Sequence, residues 1–201
     1  MRTVTGLFDD YNAARNAVSD LEAAGVPSDD ISIVANNAGD RYSADSSGAA
    51  EGAGAGAGLG AAGGGVVGLL TGLGLMAIPG VGPVVAAGWL ASTAAGAAAG
   101  AVAGGAAGGI IGALTDSGVK EDDAHVYAEG VRRGGTLVTA RVDDSLALKA
   151  EAILQQRDRV DLSARRRIYA QEGWSQFDEN ADPYTPDQVK RELERYRTMM
   201  P

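Results

Sequence analysis

The chain has 201 residues, a formal net charge of −9, 30 glycines, one histidine and no cysteine, which is room for one ordinary domain or a small domain with an appendage. Without cysteine there is no disulfide framework, thiolate metal site or cysteine nucleophile, and the lone His125 excludes a multi-histidine metal site. The acidic balance argues against nucleic acid, which needs a basic footprint, and against attraction to anionic lipid.

The N-terminus, MRTVTGLFDDYNAAR, lacks the apolar core and cleavage site of a signal peptide, so the expected compartment is the cytoplasm. Residues 2–8, RTVTGLF, predict a strand. Asp9 or Asp10 then supplies an N-cap. Ala14, Ala17, Val18, Leu21 and Ala24 repeat at helical spacing, and Gly25 and Pro27 end that helix. Residues 31–35, ISIVA, predict a second strand, completing a β-α-β unit.

Residues 52–115 hold no charged side chain and 21 of the 30 glycines. Gly52, Gly56, Gly60, Gly64, Gly68 and Gly72 step by four. After MAIPGVGPV, the positions Gly88, Ser92, Gly96, Gly100, Gly104, Gly108 and Gly112 step by four again. Residues four apart stack along one helix face, so such rows carve a groove where a second backbone approaches closely. Pro79, Gly80, Gly82 and Pro83 stop a helix. The pattern predicts an antiparallel glycine-zipper helical hairpin turning at these four residues, with Trp89 beside the turn. Its competitor is a flexible Gly/Ala linker, since each helical glycine costs ~1 kcal/mol relative to alanine. A nucleotide loop is disfavoured: there is no Lys in the stretch, and any glycine-rich tract matches such motifs.

Residues 121–133 predict a helix with an acidic first turn and a basic last one, ended by Gly134 and Gly135. Residues 136–142, TLVTARV, predict a third strand. Leu146, Ala150, Ile153 and Leu154 mark another helix, and residues 160–164, VDLSA, a fourth strand. The expected fold class is α/β (α+β): a small ferredoxin-like βαβ–αβαβ sandwich of about four strands. Its residues, 1–51 and 116–165, form a discontinuous domain. Residues 52–115 are the inserted hairpin and 166–201 a C-terminal tail. In the tail, Val189, Leu193 and Tyr196 lie at helical spacing after Thr185–Pro186, and Trp174 and Phe177 are anchors. The tail either wraps its own domain or clasps a neighbouring subunit.

The phrases TVTGLFDDYNAARNAVSDLEAAGVPSDDISIVA and VKEDDAHVYAEGVRRGGTLVTARVDD resemble the bacterial general stress protein domain family (YflT-like, heat-induced). IPGVGPVVAAGWLA between glycine-rich arms resembles the Gly-zipper hairpin of longer relatives. The resemblance spans residues 3–165. It implies a cytoplasmic stress-associated protein and transfers no catalytic residue.

His125 reads as a surface histidine among carboxylates. The pairs Asp9/Asp10, Asp29/Asp30, Asp122/Asp123 and Asp143/Asp144 read as caps of helices and strands. Arg165–Arg167 reads as a solvated run. No catalytic residue, metal ligand or cofactor site emerges, so an enzyme is not expected. The glycine rows and Trp89 are the expected interface. The expected partner is the protein itself, as a large and shell-like homo-oligomer; the alternative is membrane lipid, with the hairpin inserted in the bilayer. No nucleic acid or small-molecule substrate is expected.

Overall fold

The computed structural model describes residues 1–42, 74–93, 109–155 and 158–199. Strand β1 (Arg2–Phe8) leads through Asp10 into helix α1 (Tyr11–Ala23). The Ala13 N–H donates to the Asp10 carboxylate, so the sequence-predicted cap is made. A short 3₁₀ turn (Ser28–Asp30) precedes β2 (Ile31–Asn36). Then come β3 (Gly74–Ile78), β4 (Gly82–Gly88), α2 (Gly109–Asp116), α3 (Glu121–Arg132), β5 (Thr136–Val142), α4 (Asp144–Leu154), α5 (Leu162–Gln171) and α6 (Pro186–Met199).

The five strands form one antiparallel sheet in the order β1-β5-β2-β4-β3. β1 and β2 run parallel with β5 inserted between them, the split β-α-β of a ferredoxin-like arrangement. The mixed helix-and-sheet class is therefore as the sequence predicts. Alternation along the strands feeds two cores. Leu7, Val34 and Leu137 point to α2 and α3 on one face. Phe8, Ile33 and Val138 point to α1 and α4 on the other.

Three expectations need correction. Residues 74–88 do not form the ends of two helices meeting at a turn. They form a β-hairpin that continues the sheet beyond β2. Pro79, Gly80, Gly82 and Pro83 do mark the reversal, closed by the Val81 N–H donating to the Ile78 carbonyl at 3.0 Å. Pairing with β2 satisfies the backbone at no helical glycine cost, and Gly82 and Gly88 adopt φ of +96° and +88°, outside any right-handed helix. The zipper arms, residues 52–73 and 94–108, lie outside the described residues.

The fourth strand, residues 160–164, is reduced to one bridge between Phe8 and Arg159 and the Val160 N–H donating to the Leu7 carbonyl. The Asp161 carboxylate accepts from the Ala164 N–H, so the chain turns into α5 at Leu162. The local cap overrides the strand pattern. Finally, Arg165 is not solvated: it is 1% exposed and held by Asp9.

The tail wraps its own domain. Phe177 joins the α2–α3 core, while Tyr196 packs with Val126 and Tyr169. The boundary drawn at residues 165/166 falls inside α5.

Candidate functional site

The expected interface residues have divergent fates. Gly52, Gly56, Gly60, Gly64, Gly68, Gly72, Gly96, Gly100, Gly104 and Gly108 lie outside the described residues. Gly112 is half-buried in α2. Gly88 serves the sheet: the Ile31 carbonyl oxygen and Ser32 Cα occupy the space where its side chain would go. Trp89 is half-buried, with the Arg141 guanidinium 4.9 Å from its ring centroid. Asp30 pairs with the same guanidinium at 2.9 Å.

Two sets that the sequence keeps apart, the hairpin turn and the tail anchors, are brought together. After α5 the chain crosses the strand ends as a strap. A Cβ on Gly80 would lie 2.6 Å from the Asp178 carbonyl oxygen and 2.9 Å from the Phe177 ring. A Cβ on Gly82 would lie 2.7 Å from Pro183, and one on Gly39 2.9 Å from Pro186. One on Gly134 would lie 2.5 Å from Val189. The strap thus passes from the β3–β4 turn, over the end of β2, to the start of β5.

A ladder of charges, buried at Glu129, Arg133 and Arg165, holds it there. Glu129 on α3 is fully buried and accepts from Arg133 at 2.6 Å and Arg132 at 3.4 Å. Arg133 reaches out to Glu172 at 2.5 Å and Glu192 at 3.2 Å. Arg195 pairs with Glu172 as well. The Arg133 guanidinium lies 4.2 Å from the Tyr169 ring centroid, and that of Arg165 3.6 Å from the Tyr196 centroid. Arg165 is gripped by both oxygens of Asp9, at 3.0 and 2.5 Å. The ladder therefore links the β1–α1 junction to the last helix. Asp9 is a counter-ion rather than a cap.

These contacts set the titration of the groups. Burial works against the Glu172 carboxylate, but hydrogen bonds from Arg133 and Arg195 outweigh it and hold its pKa below the usual range. Burial pushes the Tyr169 phenol up to about 12, partly offset by Arg165. Tyr196 is raised by burial and by Tyr169 and Glu192 nearby. Arg133 pairs with Glu129, Glu172 and Glu192, and Arg165 with Asp9.

His125 is half-buried on α3, and its Nδ1 accepts from the Phe177 N–H at 3.3 Å. It borders a cleft of about 480 Å³ with Glu121, Asp122, Arg166 and Trp174. Arg166 pairs with Asp123 at 2.8 Å, so this acidic pair also acts as counter-ion. The Asp143 side chain makes no capping bond to α4. Among the described residues no group of acids and histidine is arranged to hold a metal ion. No described helix is long and apolar enough to cross a membrane. The strap residues Pro183, Glu172 and Glu192 carry no motif; only the anchors Phe177 and Trp174 stand out in sequence, as aromatics in a polar segment.

The described residues that flank residues 43–73 and 94–108 are at the following places. Tyr42 stacks on Tyr11 at 4.2 Å, and a Cβ on Gly109 would lie 3.9 Å from Glu179, so both lie at the strap end of the sheet. Gly74 and Gly88, paired to Ala86 and Ser32, lie at the opposite end.

Residues 3–79 match the model of the heat induced stress protein YflT domain. The match supports the general stress protein family and a stress-associated role. It runs through β1, α1, β2 and β3; the strap and β5 lie beyond it. No curated protein and no solved structure matches the chain.

Proposed function

We propose that this chain is a non-enzymatic, cytoplasmic, stress-associated structural protein. It self-assembles through its glycine-rich segments into a large, shell-like homo-oligomer. The observation that carries the reading is where the described chain stops and resumes on either side of these segments. The described chain stops beside the strap at Tyr42 and resumes at the far end of the sheet, at Gly74. It stops again near that far end, after the helical turn 89–93, and resumes beside the strap at Gly109. Endpoints that run oppositely along one sheet suit two antiparallel arms, and the four-residue glycine step suits arms that pack closely. The matched stress-protein domain supports the stress association. No cofactor, metal, nucleic acid or substrate enters the reading.

Mass photometry without detergent is expected to find a large homo-oligomer; a clean monomer overturns the proposal. Replacing Gly60, Gly64, Gly100 and Gly104 with Leu is expected to break the assembly while far-ultraviolet circular dichroism stays unchanged. Flotation with liposomes is expected to leave the protein in the soluble fraction. Recovery with lipid would favour bilayer insertion of the glycine-rich segments instead.

A further inference from the structure

The surface beneath the strap is a channel made of backbone. Gly39, Gly80, Gly82 and Gly134 have φ between +71° and +109° and come from three loops at one end of the sheet. Each leaves a notch, and the notches take Pro186, Phe177, Pro183 and Val189. The order along the strap matches the order of the loops across the sheet. Such a channel reads side chains in sequence and is indifferent to whether the segment belongs to the same molecule.

The covalent connection is short. The Trp174 N–H donates to the Tyr169 carbonyl at 3.1 Å, which ties Trp174 to the end of α5. The Phe177 N–H is tied to His125 on α3. Between these two points stand only Ser175 and Gln176, both exposed. Short hinges between a body and a docked element favour exchange of that element between copies. A second copy presents the same four notches and the same Glu129–Arg133 pair, so an exchanged strap loses no contact.

We propose that the strap is an exchangeable clasp: residues 177–199 of one copy seat in the channel of a second, hinged at Ser175–Gln176. Exchange needs two copies but no glycine-rich contact, so it stands apart from the assembly proposed above.

The protein lacks cysteine, which makes the test direct. A Gly39→Cys chain is mixed with a tagged Pro186→Cys chain under mild oxidation and resolved on a denaturing, non-reducing gel. Both positions are exposed. A covalent heterodimer is expected at tenfold or more over a control mixture of Leu148→Cys and Pro186→Cys chains. The proposal is overturned by a mixture no different from that control while the doubly substituted chain bonds within itself. Because a side chain at Gly39 is strained, a second variant removes Ser175 and Gln176, so that the strap no longer reaches its own channel. Hydrogen exchange is expected to leave the amides of residues 189–196 protected by the channel of another copy. Loss of that protection would show that the channel does not accept a second copy's strap, and would overturn the proposal irrespective of how the glycine-rich segments behave.

Discussion

The ring of Phe177 stands 2.9 Å from the point where a side chain on Gly80 would begin, so bare backbone forms the floor of the strap's apolar anchor. Gly80 has φ of +71°, and the Asp178 carbonyl oxygen and Glu179 Cα crowd the same point. Gly25 has a φ of +100° with open space around it. Gly80→Ala is expected to cost about 3 kcal/mol or more, combining left-handed strain with overpacking. Gly25→Ala is expected to cost about 1–2 kcal/mol from strain alone. Urea unfolding compares them; equal losses would remove the close approach as a constraint.

Arg133→Met strands the Glu129 carboxylate, which is buried with only the 3.4 Å contact from Arg132 remaining. A loss of about 3–5 kcal/mol is expected. Adding Glu129→Leu is expected to restore most of it, since two apolar side chains need no counter-charge. Simple addition of the two single losses would show that the groups are not coupled.

The acid limb of stability is assigned to Glu172. Its folded pKa lies below the unfolded value, so its contribution is present above the unfolded carboxylate range and is lost as pH falls through the folded value. The stability difference between wild type and Glu172→Gln is therefore expected to be positive at neutral pH and to close as pH drops below about 4.3. A gap independent of pH would remove the carboxylate charge from the explanation.

On the alkaline side the sign reverses. The Tyr169 phenol, raised by burial to about 12, contributes stability that is complete below its unfolded value and declines as pH climbs toward the folded one. Unfolding monitored by tyrosinate absorbance is expected to begin above pH ~10. Tyr169→Phe is expected to flatten this limb; an unchanged profile would assign it elsewhere.

Phe177→Ala removes the anchor from the core that also holds Ile78, Val81 and Val84. A loss of about 3–5 kcal/mol is expected. Amides of the β3–β4 hairpin are expected to exchange faster, while those shared by β1 and β5 keep their relative protection. Uniform acceleration would mean that the strap does not support the hairpin locally.

Elements with local signals were legible in the sequence. Asp10 and the Ala14–Leu21 spacing mark α1, the acidic turn at Glu121 marks α3, and Thr185–Pro186 opens α6. Residues 160–164 carry a two-residue period but form no strand, because a single capping bond from Asp161 outweighs it. The β-hairpin at 74–88 is hidden in the sequence because the glycine rows on either side of it step by four, whereas the open edge of β2 decides the conformation. The strap's seat was not legible at all. Glycines at 39, 80, 82 and 134 look like ordinary turn residues, and only proximity in space shows what fills the room they leave. Arg165 reads as solvated in sequence because its counter-ion, Asp9, lies 156 residues away.

The inserted position of β5 also bears on biosynthesis. β1 and β2 share no ladder; β1 pairs along its length with residues 136–142, whereas β2 pairs with those residues and with β4. When Asn36 leaves the ribosome, roughly a hundred further residues must be translated first, a wait of about 5–20 s at ordinary elongation speeds. Throughout that interval β1 lacks its ladder partner, while β2 can already pair with the β3–β4 hairpin. The first strand to be made is thus among the last to be paired.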